Sequence, residues 1–173
     1  MAILEIKEYP DPILKQKAKP VEHIDDSIRR LLDDMVETMY AAPGVGLAAP
    51  QVGVSLRVIV VDASPKDEGA KLMKLINPVI THSEGSISDE EGCLSIPEIS
   101  GEVVRAKKIS VEALDENGKP VSFTTDTFLA RVIQHEIDHL NGILFIDRLS
   151  RLKQDLIKRK LKKRAKKEEP KKL

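Results

Sequence analysis

Apolar residues recur at three- and four-residue spacing early in the chain, which is the pattern of a helix that buries one face. Asp25 or Asp26 can cap the start of this helix, and Pro43-Gly44 marks its end. The apolar positions are Ile28, Leu31, Leu32, Met35, Val36 and Met39. We therefore predict a first helix from about residue 25 that ends before Pro43.

A second helical segment, near residues 126–142, is apolar around most of its circumference. Asp126 is an N-cap candidate, and Asn141-Gly142 is a stop signal. The apolar side chains are Phe128, Leu129, Val132, Ile133, Ile137 and Leu140. A helix with so broad an apolar surface is expected at the centre of the domain.

Short runs of β-branched and other apolar residues predict strands. Residues 56–62 fit a buried strand, and residues 72–80 fit a strand that Asn77-Pro78 bends or places at an edge. The Asn117-Gly118 pair predicts a hairpin turn. The strands on either side of it are expected at 109–114 and 120–125, and Val103-Val104 is a further strand candidate. The segment 8–14, which is rich in turn formers, is expected to be extended. Residues 64–69 are expected to form a loop, and residues 84–101 a loop with short extended pieces. Strands and helices without strict alternation indicate an α+β fold with mostly antiparallel sheet.

The formal net charge is zero, but the chain consists of an acidic part followed by a basic part. Residues 1–150 contain 16 Lys and Arg against 25 Asp and Glu, whereas residues 151–173 contain 12 against 3. We expect one domain over 1–150, followed by a basic C-terminal helix or tail over 151–173. The helix should run from about Ser150 into the 160s and dock weakly through Leu149, Leu152, Leu156, Ile157 and Leu161. Its basic surface is either a solvated terminus or a site that attracts a polyanion such as RNA.

The cysteine content and the hydropathy of the chain indicate in which cellular compartment the protein is expected. One cysteine excludes an intramolecular disulfide framework and fits a reducing environment. The first eight residues show no secretory signal, and the apolar runs are too short to span a membrane. We expect a cytoplasmic location without membrane contact.

The second predicted helix carries His135-Glu136-Ile137-Asp138-His139. Residues at i and i+4 lie about 40° apart around the axis and about 6 Å apart along it, so both imidazoles can meet one metal ion. Glu136 can then approach a water on that ion without being a ligand. This is the H-E-x-x-H pattern of metallohydrolases. Two structural histidines are the alternative, but burying them beside two carboxylates is costly unless something pairs with them.

A catalytic metal site of this type needs a third protein ligand and an open position. His23 and His82 lie among residues that offer no other ligand, whereas Cys93 follows a small residue in the segment EGCLS. A lone cysteine is often a buried apolar filler, but the need for a third ligand favours ligation here. One thiolate and two imidazoles suit Fe(II), Co(II), Ni(II) or Zn(II) and disfavour Mg or Ca.

Residues 44–53 are rich in glycine and contain G-x-G-x-x-A. A dinucleotide fingerprint should follow a strand and open a helix, whereas this segment follows a helix and precedes a strand. Small residues that let the backbone approach a ligand are the better interpretation, with a glycine-rich turn as the alternative. Gln51 offers an amide donor in this segment.

Three of these segments together resemble the motifs of the peptide deformylase family, which removes the formyl group from new N-terminal formylmethionine. They are GVGLAAPQ (44–51), EGCLS (91–95) and QHEIDHL (134–140), flanked by YPDPIL near the start and LFIDRL (144–149). The resemblance covers about residues 4–155. It implies an α+β fold in which mostly antiparallel sheets surround the motif-bearing helix, so that residues 1–150 form a single catalytic metallohydrolase domain.

The resemblance also implies the catalytic roles. Cys93, His135 and His139 would bind one divalent ion, which is usually Fe(II) in the family, with Zn(II), Ni(II) or Co(II) as substitutes. Glu136 would act as the general acid and base, while Gln51 and the backbone N–H of Leu94 would stabilise the oxyanion. The substrate would be a nascent formylmethionyl polypeptide, and the basic tail would contact the ribosome or its RNA.

By the same resemblance, Gly46 would lie near the substrate. A pocket for the methionine side chain would be lined by Val45, Phe128, Val132 and His135, with the aliphatic stem of Arg131 at its rim. Ser100 stands where many bacterial members carry an Arg near the substrate backbone. Our hypothesis is that Glu91, Arg105 and Asp138 orient the metal ligands.

Two other functions use the same residues. A zincin-like protease would share the glutamate mechanism, but its third ligand is typically His or Glu rather than Cys. An inactive RNA- or ribosome-binding protein would hold a structural metal, but structural sites are normally closed by four protein ligands.

Overall fold

Three α-helices and seven strands form the part of the chain that the computed structural model describes, residues 2–63 and 71–168. The helices are α1 (Asp26–Ala41), α2 (Phe128–Leu140) and α3 (Arg151–Glu168). The strands are β1 (Gly46–Ala48), β2 (Val58–Val61), β3 (Met73–Glu84), β4 (Ile87–Cys93), β5 (Ile96–Arg105), β6 (Lys108–Leu114) and β7 (Pro120–Thr125). Short 3₁₀ helices lie at Pro12–Lys15, Ala49–Val52 and Phe145–Arg148. The predicted α+β class is confirmed, and the loop predicted at 64–69 lies outside the described residues.

A five-stranded antiparallel sheet in the order β1-β2-β3-β6-β7 separates α1 from α2. Strand β2 is buried on both faces, as predicted. Val58 and Val60 pack in one apolar cluster with α1, whereas Ile59 and Val61 pack in another with α2. Alternate strand residues point to opposite faces, so this division places one helix on each side of the sheet.

Local signals in the sequence correctly located α1 and the hairpin. The Asp25 carboxylate accepts a hydrogen bond from the Ile28 N–H at 3.1 Å and caps α1. Gly118 adopts φ 77° in the turn between β6 and β7, which pair along their length. Asn77 adopts φ 51° where the register of β3 shifts, so Asn77-Pro78 bends a central strand rather than placing it at an edge.

Two segments predicted to be irregular or extended have regular structure. The prediction of a loop with only short extended pieces over 84–101 was wrong in part, because β4 and β5 pair there as a separate antiparallel sheet. Strand β4 reads ISDEEGC and is mostly exposed, so it lacks the apolar alternation that reveals a strand. The extended structure predicted at 8–14 was also wrong in part, because Pro12–Lys15 forms a 3₁₀ helix. The Asp11 carboxylate caps this helix by accepting a hydrogen bond from the Ile13 N–H at 3.1 Å.

Helix α2 lies at the centre of the molecule, as its broad apolar surface predicted. Every residue from Ala130 to Leu140 except Gln134 is buried. The N-cap is Thr127, so the prediction of Asp126 was wrong by one residue. Helix α2 ends at Asn141-Gly142 as predicted, with Gly142 at φ 74°.

Helix α3 begins at Arg151, next to the predicted boundary at residue 150. It docks through Leu161, which is buried, and through the half-buried Ile157. The docking predicted for Leu152 and Leu156 was wrong, because both side chains are exposed. Residues 169–173 of the predicted basic tail lie outside the described residues.

Candidate metal centre

Three predicted ligands converge beside α2. Cys93 stands at the end of β4, and His135 and His139 lie one helical turn apart on α2. The Cys93 Sγ and His139 Nε2 atoms are 3.3 Å apart, and the two Nε2 atoms are also 3.3 Å apart. All three donor atoms lie within 4.8 Å of one another. The structure therefore brings together the three residues that the sequence proposed as ligands.

The charge state around these atoms fits a divalent cation. The Glu91 Oε1 atom can only accept, so it receives a hydrogen bond from His135 Nδ1 at 2.9 Å and leaves the Nε2 lone pair facing the group. Burial lowers the pKa of His139 well below its usual value, which keeps that imidazole neutral. Burial opposes a positive charge on His135, yet negative groups, including Glu136, raise its pKa. The same negative surroundings favour a bound cation.

The turn after β4 holds the cysteine sulfur. The strand register shifts between Gly92 and Cys93, so Cys93 pairs with Ile96 across a two-residue turn. The Ser95 N–H and the Gln51 Nε2 amide donate to Sγ at 3.4 and 3.6 Å. Both donors favour a sulfur that carries negative charge, which is the form that binds a metal.

Buried charged residues surround the ligands. Arg105 donates to Glu91 at 2.8 Å through two nitrogens and to Asp138 at 2.5 Å. Burial alone would raise the pKa of Glu91, but the hydrogen bonds with Arg105 and His135 lower it below its usual value. Arg148 completes the network by donating to both Asp138 oxygens at 2.5 and 2.7 Å. The contacts expected among Glu91, Arg105 and Asp138 are present, whereas Arg148 was not foreseen.

Glu136 lies next to the ligands and is buried. Burial raises the pKa of its carboxyl group to about 7. Its Oε1 atom has no hydrogen-bond partner among the described residues. Gly46 packs directly against it, because a Cβ atom on Gly46 would lie 2.6 Å from Glu136 Oε2. A carboxyl group with this pKa can both accept and return a proton near neutral pH.

Gln51 is buried in the 3₁₀ helix Ala49–Val52. Its Oε1 atom accepts from the Ala48 N–H at 2.9 Å, and its Nε2 amide donates to the Ser95 hydroxyl at 3.1 Å. These two contacts fix the orientation of the amide, so that Nε2 faces the cysteine. Ser95 is fully buried and was missed as a positioning group, although it stands inside the EGCLS segment. Leu94 lies beside Cys93 in the same turn.

A cleft of about 740 Å³ opens beside the three ligands. Its lining includes all of the residues that the sequence proposed for substrate contact, namely Val45, Gly46, Phe128, Arg131 and Val132, together with Gln51, Cys93, Leu94, His135 and Glu136. The side chains of Val45 and Phe128 are about half exposed, which leaves apolar surface uncovered at this position.

Arg131 differs from the expectation of a stem at the rim. The whole side chain is buried, and its guanidinium donates to Glu91, to the Val103 carbonyl at 3.1 Å and to the Ile87 carbonyl at 2.8 Å. Arg131 therefore adds to the charge network around Glu91. Ser100 does not line the cleft, and its hydroxyl donates to Glu90 at 2.8 Å.

A thiol, two imidazoles on adjacent helical turns and a buried carboxyl beside a cleft define the site of a metal-dependent hydrolase. The family model for polypeptide deformylase matches residues 3–155. The chain therefore belongs to the polypeptide deformylase family.

Similar proteins agree with this assignment. A peptide deformylase from Thermodesulfovibrio yellowstonii is 53% identical over 162 residues, covering 94% of this chain and 98% of that protein. A crystal structure of a peptide deformylase from Legionella pneumophila matches with a TM-score of 0.88 and 48% identity, covering 98% of this chain and all of that one. A structure from Ehrlichia chaffeensis in complex with actinonin matches with a TM-score of 0.91 and 42% identity, covering 98% of this chain and all of that one. Within the described residues, none of the helices has the length and apolar character needed to cross a membrane.

Proposed function

We propose that this chain hydrolyses the N-formyl group of N-terminal formylmethionine on newly made polypeptides and releases formate. One observation carries the proposal. The three ligand atoms converge next to Glu136, a buried carboxyl that lines the same cleft as residues suited to hold an apolar side chain. That arrangement provides a set of metal ligands, a proton carrier and a substrate pocket in one place.

Cys93, His135 and His139 would hold the divalent ion. Their mixed thiolate and imidazole donor set suits Fe(II), which we propose as the physiological metal, and also Zn(II), Ni(II) or Co(II). When bound, the metal supplies a Lewis acid that lowers the pKa of a water and polarises the formyl oxygen. Glu91 orients His135 through its hydrogen bond at 2.9 Å.

Glu136 moves the proton in this mechanism. It takes a proton from the attacking water as the oxygen adds to the formyl carbon. It then gives the proton to the peptide nitrogen as the carbon–nitrogen bond breaks, which leaves formate and a free amine. Its raised pKa of about 7 suits both steps.

Gln51 and Leu94 would stabilise the negative charge that develops on the former carbonyl oxygen. The Gln51 amide is held by Ala48 and Ser95 before any substrate arrives. Its Nε2 group also donates to Cys93 Sγ at 3.6 Å, which places this donor beside the ligand next to which the substrate oxygen would bind. The Leu94 N–H is the second proposed donor. Donors fixed in advance stabilise a transition state without reorganisation cost.

The methionine side chain would occupy the apolar part of the cleft beside Val45, Phe128 and Val132, with Gly46 close to the substrate and His135 at its edge. The Arg131 stem contributes less than expected, because the whole side chain is turned into the protein.

The test compares Glu136→Ala with the parent after anaerobic purification, with metal quantitation and a formate-release assay on formylmethionyl peptides. We expect Glu136→Ala to keep the metal and to lose turnover by about three or more powers of ten. Glu112→Ala removes an exposed carboxylate on β6 and serves as the matched control. A parent that cleaves internal peptide bonds instead of releasing formate would establish the protease, and a metal-loaded parent without either activity would contradict both enzymes.

The exposed basic surface of α3 supports a contact with the ribosome. Lys158, Arg159, Lys160, Lys162 and Lys163 are all exposed, and neutralising phosphates gives an affinity that falls as salt rises. We therefore propose that α3 attaches the protein to ribosomal RNA in the cytoplasm, where nascent chains emerge. Binding to purified ribosomes that does not change between low and high salt would contradict this electrostatic contact.

A further inference from the structure

Arg164 on helix α3 hydrogen-bonds to the wall of the substrate cleft. The Arg164 guanidinium donates to the Pro97 carbonyl at 2.8 Å and to the Glu98 carboxylate at 2.7 Å. Pro97 and Glu98 both line the cleft. The helix and the cleft are therefore joined by a contact between residues that lie 66 or more positions apart in the chain.

The cleft wall at this point has a backbone conformation that needs support. Glu98 adopts φ 66°, in the left-handed region that side chains other than glycine rarely occupy. Such conformations persist where the surrounding structure fixes them. Ile96 and Ile99, which flank the pair Pro97-Glu98, are buried in one apolar cluster with Leu161. Leu161 lies three positions before Arg164 on the same helical face, so α3 contacts the segment 96–99 twice.

The ion pair between Arg164 and Glu98 contributes little to the stability of the fold. The Glu98 side chain is 83% exposed, and exposed ion pairs contribute little to stability. The hydrogen bond to the Pro97 carbonyl acts on the backbone itself, beside the left-handed residue. Its effect is therefore on the shape of the segment more than on the stability of the fold.

We propose that Arg164 is a positioning residue of the substrate cleft, which holds the backbone at Pro97 and Glu98 in the conformation that lines the cleft. Arg164 touches neither the metal ligands nor Glu136 and has no part in the chemistry. It completes one wall of the cleft from a helix outside the three motifs. This inference rests on the proposed function, since it assigns the cleft to the formylated peptide.

The test separates substrate binding from chemistry. We compare Arg164→Gln with Arg151→Gln, which removes the same charge from an exposed position on the same helix. With a formylmethionyl tripeptide, Arg164→Gln should raise KM by about three- to tenfold at unchanged kcat and metal content, because it loosens one wall of the cleft and leaves the reacting groups in place. Arg164→Lys should have a KM between those of Arg164→Gln and the parent, since an ammonium group can reach one of the two acceptors. Arg151→Gln should match the parent.

Amide hydrogen exchange provides the second measurement and needs no substrate. The amides of Ile96, Glu98, Ile99 and Ser100 should exchange faster in Arg164→Gln than in Arg151→Gln, while those of α2 stay unchanged. The KM and the local exchange must rise together, and a rise in either one alone, or faster exchange throughout the molecule, would overturn the proposal. If Arg164→Gln fails to fold, Arg164→Lys carries the same pair of measurements with smaller changes. A parent that released no formate would refute the proposed function, whereas the exchange result would still decide whether Arg164 holds this segment.

Discussion

The contact between Gly46 and Glu136 is the tightest constraint on the proposed proton carrier. A Cβ atom at position 46 would lie 2.6 Å from Glu136 Oε2 and 2.9 Å from Val132 Cγ1, so Gly46→Ala must displace the carboxylate. We expect kcat to fall about 10- to 100-fold, because small displacements of a reacting group cost that much. Metal content should not change, since Glu136 is not a proposed ligand. Formate release and metal analysis on the same sample measure both quantities.

Gly92→Ala is the control for this substitution. Gly92 also lines the cleft, but a Cβ atom there would meet only the Ile99 carbonyl at 3.6 Å, which is an ordinary contact. We expect it to stay within about threefold of the parent, the range of a minor change in packing. Equal losses in the two variants would mean that the alanine methyl group harms the cleft in general and that Glu136 is not specifically displaced.

Ser95 is expected to act through Gln51. Ser95→Ala removes the acceptor of the Gln51 amide, so kcat/KM should fall about three- to tenfold, the worth of one neutral hydrogen bond. If the effect passes through Gln51, the double variant with Gln51→Ala should be no worse than Gln51→Ala alone. Additive losses in this cycle would assign the Ser95 hydroxyl a role that does not pass through Gln51.

Among single residues, the sequence predicted those whose chemical role requires a particular spacing or a missing partner. His135 and His139 were found because a helix aligns positions i and i+4, and Cys93 because a third ligand was required. Ser95 and Arg148 act through contacts across the fold that leave no periodic signal. Arg131 was placed correctly beside the cleft, but its direction depends on Glu91, Val103 and Ile87, which come from two other strands.

Among the elements, those with an apolar pattern were predictable and the polar hairpin was not. Strand β2 and helix α2 bury continuous apolar surface, and that requirement is visible in the residues themselves. Strand β4 is exposed along Ile87–Glu90 and is held by pairing with β5, so its partner and not its own side chains determines its structure. This missed hairpin delivers Cys93 and Glu91 to the metal centre.

Arg105 joins three of these elements, since it lies on β5 and pairs with Glu91 on β4 and Asp138 on α2. We expect Arg105→Leu to lower the free energy of unfolding by about 3 kcal/mol, because it leaves buried carboxylates short of a partner. The loss should stay near the lower end of the usual range, since Arg131 still pairs with Glu91 and Arg148 with Asp138. Urea unfolding measures it, and metal affinity should fall as His135 loses its fixed orientation.

Arg30→Leu removes an exposed guanidinium from α1 and controls for the change of residue type. It should leave unfolding and metal affinity near those of the parent. Full metal content and activity in Arg105→Leu would remove the hypothesis that Glu91, Arg105 and Asp138 orient the ligands.

In the whole molecule, the metal centre lies where three apolar clusters meet. Helix α2 packs in the cluster that contains Ile59 and Val61, Leu94 packs against the cluster of α1, and Cys93 packs against the cluster that holds Leu161. Cys93, its neighbour Leu94 and the helix that carries His135 and His139 thus connect three separate apolar clusters of the described residues. A bound metal should for this reason stabilise the entire fold and not the cleft alone.

Metal removal tests that connection. A ligand present at about 1,000 times its Kd stabilises the folded state by about 4 kcal/mol, which for a chain of this size corresponds to roughly 10 °C in Tm. We expect a chelator to lower the Tm of the Ni(II)- or Zn(II)-loaded parent by about this amount, measured by calorimetry. Glu136→Ala should show the same drop because it keeps all three ligands, whereas Cys93→Ala should start near the metal-free Tm and respond little. A chelator effect of equal size in Cys93→Ala would mean that the stabilising ion is held elsewhere, and the convergence of Cys93, His135 and His139 would then need another explanation.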